Sequence, residues 1–363
     1  MRKKLCTVSV NGEEFYARRG ELLLDAALTR GVDLAHDCRS GRCGTCRVRV
    51  VDGRLIGGDC GEPGVALACQ GRIIGDLAIE VEAMPEVLRT AARVSRLRRL
   101  TSDVVEVAIE PARPIVYLPG QYFQVRFRGF PARCFSPTVP LEGRDDRTIR
   151  LHIRRVPNGR VSSALGTQIR PDHRLKLDGP FGSAYLRAEL PHRIVLVASG
   201  TGFAPIWSIA TAAAEQDPKR EMVIVVGARS LADLYMVPAL CWLARLPNVT
   251  VIPVTDLPQS VTPAVRTGRP TDHVPPLSEH DVVYACGAPP MVAAVARMAA
   301  AAGARCYADP FESPRDRKDG LLSRAFGRLD PTRPGRISPS RMVGGPMVSA
   351  AVPAAYRGQI TGR

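Results

Sequence analysis

Cys38, Cys43 and Cys46 stand in a C-x4-C-x2-C run, and Cys69 follows as a fourth, isolated cysteine. This is the plant-type spacing for a [2Fe–2S] cluster held by four thiolates, so the first chemistry to expect is one-electron transfer. The run His36-Asp37-Cys38-Arg39-Ser40-Gly41-Arg42-Cys43-Gly44-Thr45-Cys46 supplies the small residues that a loop wrapped around a cluster needs. Gly41 and Gly44 allow close backbone approach. Amide N–H groups can then reach the sulfurs and help set the potential, because reduction adds negative charge there. A structural zinc site usually takes two short C-x2-C hooks. Here one hook has four intervening residues and the last ligand is alone.

Two further constellations suit nucleotides. Arg133-Cys134-Phe135-Ser136-Pro137-Thr138 is followed downstream by Gly159-Arg160-Val161-Ser162-Ser163-Ala164-Leu165. A buried pyrophosphate needs fixed positive charge and hydrogen-bond donors, which Arg133 and the N–H groups opening a helix at Val161, Ser162 and Ser163 can provide. Phe135 is suited to cover a flavin ring and Ser136 to hydrogen-bond its reactive edge. An Arg-x-aromatic-Ser tetrapeptide is common by chance, and its place before a Gly-x-x-Ser helix start gives it weight. Later, Val197-Ala198-Ser199-Gly200-Thr201-Gly202-Phe203-Ala204-Pro205 joins a strand to a helix start, and Tyr284-Ala285-Cys286-Gly287-Ala288-Pro289-Pro290-Met291 repeats the design. Taken singly, each glycine turn is equally explained by tight strand–helix packing. Taken together, after a flavin motif, they fit a second dinucleotide at the carboxyl ends of parallel strands.

Three kinds of element must position these groups. The first segment opens as a hairpin, residues 5–10 and 13–17 around Asn11-Gly12, the strongest type I′ turn signal. A helix is expected over 21–30, with Leu22, Leu23, Ala26 and Ala27 on one face and Gly31 as its cap. Strand 46–51, a turn at Asp52-Gly53 and a closing strand 73–81 complete a small α+β domain. From 94 to 190 short alternating strands broken by Pro and Gly indicate an antiparallel barrel, interrupted by one helix over 161–169. From 193 the pattern becomes strand, glycine turn, helix, with helices over 204–214, 231–245 and 291–302, which implies a parallel sheet covered on both faces. The expected domains are residues 1–88, 89–190 and 191–312, with a tail over 313–363. That tail is rich in Pro, Gly, Ser and Arg, lacks periodicity and is expected to be disordered, a basic tether for an acidic partner or membrane surface being its functional alternative.

At 363 residues the chain is too long for one core. The net charge of +15 is uneven: −1 over 1–88, +10 over 89–189, −1 over 190–312 and +7 over 313–363. Nucleic acid is the first partner such a balance suggests, yet the sequence carries neither a recognition-helix signature nor an aromatic RNA-binding motif. An acidic protein partner, steered by charge, fits a redox chain better. The basic start Met1-Arg2-Lys3-Lys4 runs into a strand and not into an apolar signal core, and no apolar run reaches membrane-spanning length. The expectation is a cytoplasmic monomer. Of the other cysteines, Cys6, Cys60, Cys134, Cys241, Cys286 and Cys306, most are expected to be buried small hydrophobes. The six histidines have no iron-binding spacing, so any substrate oxygenation belongs to another chain. Trp207 and Trp242 are expected in the core, and Arg96, Arg98 and Arg99 on a solvated strand face.

The first 85 or so residues resemble a plant-type ferredoxin. Over about residues 5–312 the chain resembles the reductase components of bacterial aromatic-ring-hydroxylating dioxygenases, of the naphthalene dioxygenase type. The runs that carry the likeness include Cys38 to Arg47, Leu67-Ala68-Cys69-Gln70, Pro119-Gly120-Gln121-Tyr122, His152-Ile153-Arg154-Arg155-Val156-Pro157, Gly179-Pro180-Phe181-Gly182-Ser183 and Tyr307-Ala308-Asp309-Pro310-Phe311. The resemblance implies a plant-type ferredoxin domain, an FAD barrel and a nicotinamide domain of the ferredoxin–NADP reductase type, in that order. By position it makes Cys38, Cys43, Cys46 and Cys69 the cluster ligands and Arg133 the FAD pyrophosphate anchor. It sets Phe135 and Ser136 at the flavin, Val161, Ser162 and Ser163 on its phosphates, and Gly200, Thr201, Gly202, Cys286 and Gly287 around NADH. Phe311 would lie over the flavin where nicotinamide enters. The chain departs from the family in having Phe135 where Tyr is common and in continuing past Phe311 to Arg363.

The implied activity is transfer of electrons from NADH through FAD to the cluster and on to a ferredoxin or oxygenase. FAD supplies the two-electron to one-electron conversion, so the residues act by placement, with Cys286 and Thr201 beside the reacting carbon. Arg229 and Ser230 could take a 2′-phosphate and Asp233 a free 2′-hydroxyl; the likeness favours NADH, with NADPH tolerated. The same build could serve a monooxygenase hydroxylase or a deoxysugar dehydrase. A [2Fe–2S] redox sensor is a further alternative, in which complete flavin and nicotinamide sites would be superfluous.

Overall fold

The computed structural model describes residues 5–82, 84–141, 147–256 and 264–311. Two compact units divide the chain, residues 1–310 and 311–363, and Phe311 is the one described residue of the second. The expectations for Met1-Arg2-Lys3-Lys4 and for the tail lie outside the described residues. Three sheets build the first unit.

The first sheet contains β1 (Leu5–Val10), β2 (Glu13–Arg18), β3 (Arg47–Ile56), β4 (Val65–Leu67) and β5 (Arg72–Glu80), in the order β2-β1-β5-β3-β4, with α1 (Leu23–Thr29) packed on it. Asn11 at φ 50 and Gly12 at φ 90 form the expected hairpin turn. Leu23, Leu24, Ala26 and Ala27 are the buried face of α1. Asp52-Gly53, expected to be a turn, instead lies inside β3 as an irregularity in its pairing with β5. A Cβ at Gly53 would come within 2.2 Å of the Asp76 carbonyl oxygen, so this glycine serves a close strand approach.

The second sheet is antiparallel between all its neighbours. It is formed by β6 (Leu88–Arg99), β7 (Val104–Pro111), β8 (Tyr122–Phe127), β9 (Arg133–Phe135), β10 (Pro137–Thr138), β11 (Ile149–Arg154) and β12 (Arg174–Phe181), ordered β10-β11-β7-β6-β12-β8-β9. Val105, Val107 and Ile109 of β7 meet Phe123, Val125 and Phe127 of β8 in its core. The helix expected over 161–169 is a single 3-10 turn, Ser162–Ala164. Gly166 at φ 85 breaks any continuation, and Val161, Ala164, Leu165 and Ile169 are apolar because they join the barrel core.

The third sheet is parallel throughout, with β13 (Ile194–Ser199), β14 (Met222–Ala228), β15 (Val249–Thr255), β16 (Arg266–Thr267), β17 (Val282–Gly287) and β18 (Arg305–Pro310) in the order β16-β15-β14-β13-β17-β18. Successive residues of β13 serve opposite faces, as a period of two requires. Ile194, Leu196 and Ala198 pack with α2 (Phe203–Gln216) and α3 (Val237–Leu243), and Val195 and Val197 pack with α4 (Pro289–Ala301). The expected 231–245 helix is split into a 3-10 turn, Leu231–Asp233, and α3. Pro238, which cannot donate a backbone hydrogen bond, sits in the first turn of α3. Trp207 is buried, whereas Trp242 is 39% exposed and makes an edge contact with it. Among the described residues no helix is long and apolar enough to cross a membrane.

Candidate redox site

The four cysteines of the spaced set converge in two pairs. The Cys38 and Cys43 thiols are hydrogen-bonded to each other, as are those of Cys46 and Cys69. Contact with Cys43 draws Cys38 down to about 4, and contact with Cys46 draws Cys69 down to about 6, against the opposing effect of burial. Cys43 and Cys46, the donors, are pushed up. The Ser40 and Cys43 amides each donate to Cys38 Sγ at 3.4 Å, Thr45 Oγ1 donates to Cys43 Sγ at 3.1 Å, and Gln70 Nε2 donates to Cys69 Sγ at 3.5 Å. Among the described residues no three ligating side chains gather around one point as a single metal ion would need. Two sulfur pairs with donors already aimed at them fit a two-iron cluster, one pair to each iron.

The flavin candidates occupy the barrel edge. Arg133 and Phe135 are half-buried on β9, and Ser136 is buried between β9 and β10. Arg133 Nη1 donates to the Ala132 carbonyl oxygen at 2.7 Å. Of the 3-10 turn residues, Val161 is buried in the barrel core, Ser162 Oγ accepts from the Val156 amide at 3.2 Å, and Ser163 is exposed. Ser136 Oγ donates to Asp309 Oδ2 at 3.1 Å. Burial raises Asp309 to about 6, partly offset by that hydrogen bond. Asp309 had no assigned role in the sequence, because nothing local to a β18 carboxylate signals a serine on another sheet.

The two glycine turns interlock. Gly200, Thr201 and Gly202 form a 3-10 turn between β13 and α2. A Cβ at Gly202 would meet the Cys286 carbonyl oxygen at 2.2 Å, and one at Gly287 would meet the Ser199 carbonyl oxygen at 2.5 Å. Tight packing therefore accounts for these two glycines by itself. Cys286 is fully buried and its thiol is pushed up, by burial first and then by the Asp309 charge, which sets it beside the Ser136–Asp309 pair. Arg154 of β11 lies over the first turn, its Nη1 3.4 Å from where a Gly200 Cβ would stand. At the end of β14, Asp233 accepts from Ser230 Oγ at 2.9 Å and lies 3.8 Å from Arg229 Nη2. The two residues expected to favour different nucleotides thus face each other. Phe311 directly follows β18 and belongs to the second unit.

Family models match all three sheets. Residues 7–73 match the 2Fe-2S iron-sulfur cluster binding domain, 92–185 the oxidoreductase FAD-binding domain and 196–297 the oxidoreductase NAD-binding domain. The reductase component of the naphthalene 1,2-dioxygenase system of Pseudomonas putida, a ferredoxin–NAD(P)+ reductase, is 33% identical over 316 residues, covering 80% of this chain and 94% of that protein. The xylene/toluene monooxygenase electron transfer component of the same species is 31% identical, covering 79% of this chain and 87% of its own length. Among solved structures, the Amycolatopsis cytochrome P450 reductase GcoB has a TM-score of 0.62 at 29% identity, covering 84% of this chain and 98% of that one. With the paired cysteines and both nucleotide modules in one chain, the protein belongs to the iron–sulfur flavoprotein family of ferredoxin–NAD(P)+ reductase components and moves electrons from NADH through FAD to a [2Fe–2S] cluster.

Proposed function

We propose that the chain delivers these electrons to a ferredoxin or terminal oxygenase of an aromatic-ring dioxygenase system. The observation that carries this reading is the likeness to the naphthalene system's reductase, which runs through the cluster, flavin and nicotinamide modules alike. A monooxygenase hydroxylase is the second reading, favoured by the likeness to the xylene/toluene component. An acidic acceptor is the reading the charge distribution supports: of the net +15, +10 lies over the flavin segment 89–189. The chain is read as a monomer working in the reducing cytoplasm.

When bound, FAD accepts the hydride's two electrons from NADH and the cluster takes them singly. The chain's own residues hold and align. Ser136 donates its hydroxyl hydrogen bond to Asp309 and is aimed by it; Thr201 and Cys286 line the nicotinamide side, where the glycine contacts bring the two turns together. Arg133 serves the FAD pyrophosphate by charge-assisted hydrogen bonds, and Val161, Ser162 and Ser163, in a 3-10 turn rather than a helix, lie on the phosphate side with the Ser163 amide taken by the Gly159 carbonyl oxygen. Arg229 and Asp233 meet the adenosine ribose, with NADH preferred and NADPH tolerated.

Replacement Cys43→Ser tests the route. The cluster's visible absorbance and reduced-state EPR signal should disappear and cytochrome c reduction collapse, while NADH–ferricyanide turnover persists because ferricyanide can draw on the flavin. A normal plant-type EPR signal in the variant would refute the ligand set. The acceptor itself is tested by reconstituting ring dihydroxylation with the candidate oxygenase, whose turnover should fall steeply with added salt.

A further inference from the structure

The cluster loop sits on the flavin barrel through a defined set of polar contacts. Asp37, immediately before the ligand Cys38, receives two hydrogen bonds from β8: Tyr122 Oη donates to its Oδ2 and Gln124 Nε2 to its Oδ1. A few residues on, the Gly182 amide donates to Thr45 Oγ1 at 3.0 Å, and Thr45 in turn donates to Cys43 Sγ. The fit is tight. A Cβ at Gly44 would stand 2.1 Å from Ser183 Oγ, and one at Gly182 would stand 3.0 Å from Tyr122 Cδ1. Tyr122 is buried, and its neighbour Phe123 pairs across the sheet with Phe135 of the flavin strand. The cluster loop is therefore tied to β8, the strand that pairs with the flavin-motif strand β9.

We propose that the Asp37–Tyr122–Gln124 clamp is a positioning device for the internal electron step, holding the Cys43 edge of the cluster against the barrel. The inference rests on the NADH, FAD, cluster order of electron flow. Each transfer removes one electron from the reduced flavin and places it on the oxidised cluster. Two transfers per NADH return the flavin to its oxidised form, with the external acceptor draining the cluster. Electron and hydride steps have different geometric needs, so loosening this contact should slow the former and spare the latter.

Asp37→Ala removes both hydrogen bonds, and Tyr122→Phe removes one while keeping the ring. In the holoenzyme mixed with NADH, flavin bleaching should keep its rate in both variants. Subsequent cluster reduction should slow severalfold in Asp37→Ala, since the rate of electron transfer falls exponentially with the separation this contact sets. Tyr122→Phe should show a smaller slowing, and adding it to Asp37→Ala should cost nothing further, because both act through one contact. Under dithionite titration the cluster's EPR line shape should match wild type in both variants, and its midpoint potential should match in the charge-neutral Tyr122→Phe. Loss of the Asp37 carboxylate can only raise the midpoint and so cannot itself slow filling. Amide exchange over residues 37–46 should rise. Wild-type rates of cluster filling in both variants, or a shifted potential that accounts for the slowing, would overturn the clamp. A wild-type protein whose cluster does not fill from NADH would instead overturn the electron route.

Discussion

Ser136 and Asp309 are 173 positions apart in the chain and 3.1 Å apart in space, and their pairing gives the site a titration that no motif announces. Burial lifts Asp309 from 3.8 to about 6, so the folded state holds this proton more tightly than the unfolded state. Stability from the neutral form is complete below about pH 4 and lost as pH rises through about 6. On the role proposed for Ser136, the ionised carboxylate is the acceptor that orients it in the holoenzyme. NADH–ferricyanide kcat is therefore expected to fall as pH drops through about 6 in wild type and to be level there in Asp309→Asn. A wild-type profile flat from 5 to 8 would remove Asp309 from the site. A second residue-scale test concerns nucleotide choice. Because Arg229 is largely exposed and lies 3.8 Å from Asp233, Arg229→Ala should lower kcat/KM for NADPH more than for NADH. The assignment fails if the wild type favours NADPH tenfold or more, about 1.4 kcal/mol in transition-state binding.

At the scale of elements, the barrel contains a charge network that the arginine run only hinted at. Glu106 of β7 is buried, and Arg98 of β6 donates to both its oxygens at 3.1 Å. Arg150 lies 3.5 Å away and His152 3.4 Å, both from β11, and His152 also meets Tyr235 at 3.2 Å. Arg96, Arg98 and Arg99 are exposed, as expected, and Arg98, with its side chain 53% exposed, also reaches the core carboxylate. Burial alone would raise Glu106, but the hydrogen bonds from His152 and Arg98 outweigh it and hold the carboxyl at about 2. With its folded pKa below the ordinary 4.5, its contribution is present above pH 4.5 and lost as pH falls through about 2. Glu106→Gln should lower unfolding free energy at pH 7 by about 1 kcal/mol, since it weakens charge-assisted hydrogen bonds from arginines that solvent partly screens. It should also flatten the acid limb of Tm against pH. Equal Tm values at pH 7 would deny the network a structural role. Strand periodicity and turn glycines made the three sheet types legible, whereas the 161–169 helix and the Asp52-Gly53 turn misled. In both cases local apolar or glycine content answered to a distant partner, the barrel core in one and the Asp76 backbone in the other.

For the whole molecule, the family matches end by residue 297 and the parallel sheet closes at Pro310. Deleting residues 318–363, rich in Pro, Gly, Ser and Arg, should leave FAD and iron content and NADH–ferricyanide turnover unchanged. Loss of FAD or precipitation of the shortened chain would mean that the core requires those residues. The cofactors themselves were readable from the sequence. The C-x4-C-x2-C run and the nucleotide turns are short-range patterns in which a few neighbouring dihedrals set where thiols and amides point, so spacing carries the information. Pairings between distant groups were not readable. Ser136 with Asp309, Glu106 with Arg98 and His152, and Asp37 with Tyr122 and Gln124 depend on strand order, register and the docking of one sheet's loop on another. Those are decided by the summed burial of the cores, a long-range quantity that no local run of residues encodes.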